Sequence, residues 1–316
     1  MEIRQLRYFV AIVDYGSISK AGGQLNIAQP ALSQQIKNLE HELGVRLLER
    51  SARGVSPTTA GTKLYRHSQL IIGQVKNATA DVMSNNGALI AGTVTVGFPT
   101  TTAAILAVPL IETARRMYPG IKLRIIETLS GHLLELLMKN KTDLAIQFRG
   151  ESMIGVQVEP MLREELFLVT SDPEKNGLDI SVAELATIAI AAPGRPHMIR
   201  QTIDDYCESA GVEPNVIADI DSLPALRRIA SSGIADVILP WGAFALTEVP
   251  GLYMRRLTPR ISRPIALSSP PGAARNEATA AIHGVLRALV FELVNSRQWR
   301  GVEMFEEFRR EMQKLS

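Results

Sequence analysis

Gln29-Pro30-Ala31-Leu32-Ser33-Gln34-Gln35-Ile36 decides how this 316-residue chain is read. Leu32, Ile36, Leu39 and Leu43 recur at three- and four-residue spacing, which puts them on one stripe of a helix and against a core. The opposite stripe carries Pro30, Ser33, Gln34 and Lys37. Pro30 suits a first turn, where its missing N–H costs nothing, and Gly44 supplies a stop. A helix with one packed face and a short, hydrogen-bonding outer face fits the major groove of duplex DNA, where amide side chains reach base edges and lysine meets phosphate.

The flanking residues sharpen this reading. Leu6, Phe9, Val10 and Val13 have helical spacing within Arg4 to Tyr15, and Ser17 is placed to cap a second short helix running to Leu25. Leu25 to Gln29 is then the turn of a helix-turn-helix spanning about Ile18 to Lys37. After Gly44 come Leu47, Leu48, Arg50, Arg53, Gly54 and the Ser56-Pro57-Thr58 turn, a basic hairpin or wing. The candidate DNA contacts are Gln29, Pro30, Ser33 and Gln34 toward the bases and Lys37, Arg50 and Thr58 toward phosphate. Arg53 is the candidate for the flanking minor groove.

Residues 1 to about 66 resemble the N-terminal domain of LysR-type transcriptional regulators. The match rests on Leu6-Arg7-Tyr8-Phe9-Val10, Gly16-Ser17, Ala21, Leu25, Gln29-Pro30-Ala31-Leu32-Ser33, Ile36, Leu39-Glu40, Leu43-Gly44, Leu47-Leu48, Arg50, Arg53 and Thr58-Thr59-Ala60-Gly61. Within that family, Asn26 to Gln35 together with Arg53-Gly54-Val55 and Pro57-Thr58 is similar to the nitrogen assimilation control subgroup. The resemblance implies a cytoplasmic regulator of nitrogen or carbon metabolism genes that binds double-stranded DNA at inverted repeats. It further implies a homodimer assembling to a homotetramer, and contact with RNA polymerase. Two positions depart from the pattern. Gln34 stands where many members carry Arg, and glutamine prefers adenine where arginine prefers guanine. Gly22-Gly23 replaces helix formers, at about 1 kcal/mol per glycine, so the second helix is expected to be soft.

Composition frames the rest of the chain. Its length suggests two or three domains, and 46% hydrophobic residues suffice for sizeable cores. A single cysteine excludes an intrachain disulfide and fits a reducing compartment. The sequence contains neither an apolar run long enough to span a bilayer nor a signal peptide, so no membrane association is expected. Residues 1–66 hold nine Lys/Arg against five acids, while the remainder holds twenty-five against twenty-seven. A basic head on a mildly acidic body suits a reading module joined to a regulatory one, though a solvated surface explains so small an excess equally well.

Leu64, Ser68, Ile71, Val75, Ala78 and Val82 alternate four-three, the seam of a coiled coil, so residues 59–90 are read as a linker and dimerisation helix ending at Asn85-Asn86-Gly87. Residues 1–58 form the winged helix-turn-helix. From Thr93 onward strands and helices alternate, implying parallel sheets covered by helices. The expected class is α/β multidomain, and the resemblance implies a periplasmic-binding-protein-like effector domain over 91–316. Its first lobe is 91–160 with 266–297 and its second is 161–265, with crossings near Pro160 and Pro264. A C-terminal amphipathic helix is expected over 298–316.

Ligands of open α/β sheets sit beyond the carboxyl ends of strands, near helix N-termini. Thr100, Thr101, Thr102, Ser130, Arg149, Pro193, Arg195 and Ser222 occupy such places and would suit a small anionic effector. Each also has a plain role as cap or surface ion pair. Catalysis, metal binding and a cofactor find no motif. The histidines at 41, 67, 132, 197 and 283 are scattered, and Cys207 reads as a buried small hydrophobe. The competing reading is a solute-binding protein or metabolite sensor that uses the two-lobed cleft without sequence-specific DNA binding. The missing signal peptide argues against a transport role.

Overall fold

The computed structural model describes residues 1–51, 54–84, 90–151, 155–195, 197–245 and 251–315. Helices α1 (Ile3–Tyr15), α2 (Ile18–Leu25) and α3 (Gln29–Leu43) precede a hairpin of β1 (Leu48–Ser51) and β2 (Gly54–Pro57). Phe9, Ile12, Ala21, Leu32, Ile36, Leu39 and Leu47 close its core. Leu43, expected on the packed stripe, is exposed, because it ends α3 where Gly44 turns the chain at φ 68°. Ser17 caps α2 as expected, accepting from the Lys20 N–H.

Gly22 corrects the expectation of a merely soft second helix. A β-carbon there would lie 2.7 Å from the Ile27 carbonyl oxygen, and the Ile27 N–H donates to the Gly22 carbonyl at 2.9 Å. The turn into α3 closes onto the backbone of Gly22, so the missing side chain is a packing requirement. Gly23 meets nothing within 4 Å and carries only the propensity cost.

The linker is α4 (Thr59–Ser84). Along its seam, Leu64 packs on the head core and Ser68 is fully buried within this single chain. Ile71 and Val75 are half-buried, and Ala78 is exposed. The Val82 side chain and the expected Asn85-Asn86-Gly87 stop lie outside the described residues. Part of the seam is thus covered in cis. Asn140 donates to the Gln69 carbonyl, and its side chain occupies the space left open at Gly73.

Beyond the linker come β3 (Ala91–Phe98), α5 (Thr100–Met117), β4 (Gly120–Glu127), α6 (Ser130–Met138) and β5 (Leu144–Gln147). The long β6 (Gln157–Thr170) leads to β7 (Ile180–Ser181), β8 (Ile190–Ala192), α7 (Met198–Ser209), β9 (Val216–Asp219), α8 (Leu223–Ser231), β10 (Asp236–Pro240) and β11 (Tyr253–Thr258). The chain returns through β12 (Ser262–Ser269) to α9 (Glu277–Asn295), β13 (Val302–Met304) and α10 (Glu306–Leu315).

Strands β4-β3-β5 and β10-β8-β9 are parallel, as the alternation implied. The two crossing strands are antiparallel to their neighbours, and this the alternation did not reveal. Strand β6 pairs with β12 over its first half and with β10 and β11 over its second, so one strand belongs to both lobes. Pro160 and Pro264 lie inside these crossing strands, opposite Ala266 and Arg163. Separate cores fill the two lobes. One contains Phe98, Leu106, Ile146, Ile265 and Leu286, and the other Leu168, Ile190, Ile203, Val237 and Leu257.

The C-terminal segment differs from the single amphipathic helix expected. Gly301 turns at φ 67°, β13 then pairs with Leu162–Glu164 of β6, and only afterwards does α10 pack Phe308 and Met312 on the first core. Val302 and Met304 flank Glu303 with the two-residue period of a strand, a signal masked by the helical spacing farther on.

Candidate nucleic-acid interface and interlobe cleft

The outer stripe of α3 is open to solvent. Gln29, Pro30, Gln34 and Lys37 are exposed and Ser33 is half-buried. The inner stripe holds this face outward, and the far end is fixed by Glu40, whose carboxylate accepts from the Leu47 and Leu48 N–H groups at 2.7 and 3.1 Å. The start of the wing is thereby tied to the helix beside it. Arg50 reaches back from β1 and donates to the Ser33 hydroxyl at 3.0 Å. With one lone pair engaged, that hydroxyl is free to turn its proton outward. The Gln34 amide donates to the Asn38 side chain at 2.9 Å, leaving its carbonyl oxygen and second N–H for a base edge.

Thr58, expected at phosphate, has its hydroxyl engaged inside the domain. It donates to the Arg46 carbonyl at 2.8 Å and accepts from the Gly61 N–H at 2.9 Å. A hydroxyl has one proton, and here it serves the junction of head and linker. Arg53 lies outside the described residues.

Helices α5, α6, α7 and α8 all begin at one cleft of about 350 Å³. Its lining includes Thr100, Thr101, Ser130, Pro193 and Ser222, five of the eight residues expected there. Thr102 is buried and donates to the Pro99 carbonyl at 3.0 Å, which makes it a helix cap. Arg195 is held by Asp204 at 2.8 Å, and Arg149 is exposed outside the lining. Four helix N-termini point partial positive charge at the cleft, with the Ile199 and Ala225 N–H groups already taken by the caps His197 and Ser222.

Glu127, His197 and Asp221 also line the cleft, and the sequence reading missed the first two. The Nδ1 of His197 accepts from the Ile199 N–H at 3.1 Å and caps α7. Burial pushes the His197 pKa below its ordinary value, and the Arg263 guanidinium lowers it further against an opposing effect of Asp221. Asp221 accepts from the Gly194 N–H at 3.0 Å.

Arg263 was also missed. It lies at the crossing of the lobes, opposite Glu164 in the β6–β12 register. Both side chains are almost fully buried, at 2% and 1% exposure. Nε and Nη2 donate to one Glu164 oxygen at 3.0 and 2.7 Å, and Nη2 also donates to the Thr101 hydroxyl at 3.2 Å. The guanidinium stacks on Phe148, 3.4 Å from the ring centroid. Burial lowers its pKa, with Glu164 opposing. Among the described residues no His/Cys/Asp/Glu group is arranged to hold a metal, and no helix is long and apolar enough to cross a membrane.

Two family models match. The bacterial regulatory helix-turn-helix protein of the lysR family covers residues 3–62, and the LysR substrate binding domain covers 87–290. Among curated relatives, the nitrogen assimilation regulatory protein nac of Escherichia coli (strain K12) is 34% identical over 95% of this chain and 99% of its own length. The protein of the same name from Klebsiella aerogenes is 32% identical over 92% and 95%. Among solved structures, a full-length OxyR variant from Pseudomonas aeruginosa superposes with a TM-score of 0.69 at 23% identity, covering 91% of this chain and 95% of that one. Full-length CbnR complexed with target DNA superposes with a TM-score of 0.57 at 21% identity, covering 92% and 100%.

Proposed function

The chain belongs to the LysR family of transcriptional regulators, and from that premise we propose that it binds inverted-repeat promoter sites as a dimer or a pair of dimers and regulates genes of nitrogen metabolism. The observation that carries the DNA-reading part is the bare outer stripe of α3, with Arg50 braced on Ser33 beside it. In this reading Gln29, Pro30, Ser33 and Gln34 meet base edges while Lys37 and Arg50 meet phosphate. Arg53 enters the flanking minor groove where A·T-rich sequence narrows it. One head buries too little surface for tight specific binding, so two are paired through the exposed part of α4, about one or two DNA turns of ~34 Å apart. The name shared by the Escherichia coli and Klebsiella aerogenes relatives supports the metabolic assignment.

In the same reading the cleft takes a small anionic metabolite. Convergence of four helix N-termini on one cavity supports this. Closure of the lobes on the ligand changes the setting of the linker helices, and with it DNA bending and contact with RNA polymerase.

Selection of bound duplexes from a random pool by the purified protein tests the DNA reading. The expected product is an inverted repeat. Gln34→Ala should relax preference at one position of each half-site by about 1–3 kcal/mol, and Lys37→Ala should weaken all duplexes alike and reduce the salt slope by about 1. Recovery of no enriched sequence would reject the proposal.

A further inference from the structure

We propose that Arg263, which lies beneath the cleft and outside its lining, makes the α5 end of the cleft a receptor for a carboxylate, by setting the direction of the Thr101 hydroxyl. This rests on the reading of the cleft as an effector site. Thr101 lines the cleft at the first turn of α5, and its hydroxyl oxygen accepts from Arg263 Nη2 at 3.2 Å. A hydroxyl that accepts from a cation behind it turns its proton to the other side, here into the cavity. The Thr100 and Thr101 N–H groups precede the first intrahelical bonds of α5 and stand beside it. Three donors, backed by a buried positive charge, fit the two oxygens of a carboxylate.

A purely structural ion pair accounts for less of this geometry. Buried pairs are commonly replaced by apolar groups without loss, so stability alone gives weak reason to keep one. Here the pair is incompletely satisfied: Arg263 Nη1 and Glu164 Oε1 are buried and have no hydrogen-bond partner among the described residues. The guanidinium also stacks on Phe148, which itself lines the cleft. Its charge is felt by the cleft residue His197, whose pKa it helps to lower. Two acceptors also line the cleft: Glu127, in register with Phe98 beside the start of α5, and Asp221 on the second lobe at the start of α8. The ligand class that satisfies these donors and acceptors together is a small carboxylate bearing a hydroxyl or ammonium group. A plain dicarboxylate would set its second charge against those two acids.

The test uses the full-length protein and a panel of four- to six-carbon hydroxy acids, amino acids and dicarboxylates, each with its carboxamide, at millimolar concentration. Binding is read as a shift in thermal denaturation. At least one hydroxy or amino acid should stabilise the wild type while its amide does not. The charge-neutral pair Arg263→Met with Glu164→Gln, and separately Thr101→Val, should each weaken that acid about tenfold, the scale of one charge-assisted hydrogen bond. Thr101→Val keeps the ion pair, so it remains decisive if the double variant folds poorly. The His197 titration, followed by NMR without ligand, should move up toward its ordinary value in the double variant. If the acid binds both variants as it binds the wild type, Arg263 has no such role and the effector reading survives. If no acid binds the wild type, both readings fall.

Discussion

The side-chain amide of Asn140 donates to the backbone carbonyl of Gln69, tying the end of α6 to the linker helix. The other end of α6 begins at Ser130 in the cleft, so one short helix touches both the cavity and the element that carries the reading head. Asn140 holds a left-handed backbone at φ 49°, and its side chain fits only because residue 73 is glycine. Asn140→Gly keeps the backbone conformation and removes the amide. It should cost about 1 kcal/mol and raise amide exchange in α4 around Gln69. The footprint of the protein on its promoter should change in length while contacts within each half-site persist. Gly73→Leu should act in the same direction. An unchanged exchange pattern in both variants would show that the tie does not hold α4.

Gly22 and Gly23 should respond to alanine with opposite signs. Gly22→Ala places a methyl group 2.7 Å from the Ile27 carbonyl, and neither backbone segment can withdraw without opening the turn into α3. A loss of roughly 1–3 kcal/mol follows, the usual cost of overpacking, together with weaker DNA binding. Gly23→Ala enters open space on the same helix and should gain about 0.5–1 kcal/mol. Thermal denaturation of the two variants checks both signs, and destabilisation by Gly23→Ala would contradict the assignment.

The reading head was legible because its signals are local. Apolar spacing, the Ser17 cap and the stop at Gly44 lie within a few residues of what they organise, and apart from Leu43 at the very end of α3 the structure places each where the pattern required. The cleft was legible only through its helix starts. Arg149 and Arg195 carry the right chemistry for an anion, yet residue type does not reveal a nearer partner such as Asp204, nine residues beyond Arg195. Arg263 and Glu164 are 99 residues apart and meet only through the register of two crossing strands, so each reads alone as a surface charge. Thr58 was misjudged for a related reason, since a turn threonine looks the same whether it faces phosphate or a carbonyl of its own domain.

His197 gives the protein a pH dependence with a definite sign. Its Nδ1 accepts from the Ile199 N–H, which requires the unprotonated ring, and burial with the neighbouring Arg263 keeps its folded pKa below the ordinary 6.5. Between those two values the unfolded chain binds a proton that the folded chain refuses. The resulting stabilisation is complete above about pH 6.5 and is lost as pH falls toward the folded value. Melting temperatures at pH 7.5 and 5.5 should therefore differ more for the wild type than for His197→Gln. Equal differences would mean that His197 carries no linkage.

Some relatives bear the name hydrogen peroxide-inducible genes activator, and the place in this chain where a thiol could meet peroxide is Cys207. It is the sole cysteine in the sequence and is 1% exposed in the core of the second lobe. Burial, with Asp204 adding to it, pushes the thiol pKa up to about 11. Peroxide reacts with thiolate, and here both the thiolate fraction and access are small. No second cysteine is present to resolve a sulfenic acid as an intrachain disulfide. A thiol reagent should thus label the native protein at pH 7.5 at least about a hundredfold more slowly than the unfolded one, since the raised pKa alone suppresses thiolate by roughly that factor. Promoter affinity should be the same with and without micromolar peroxide, and the same in Cys207→Ser. Rapid native labelling, or a peroxide-dependent change that the serine variant abolishes, would place redox sensing at Cys207 after all.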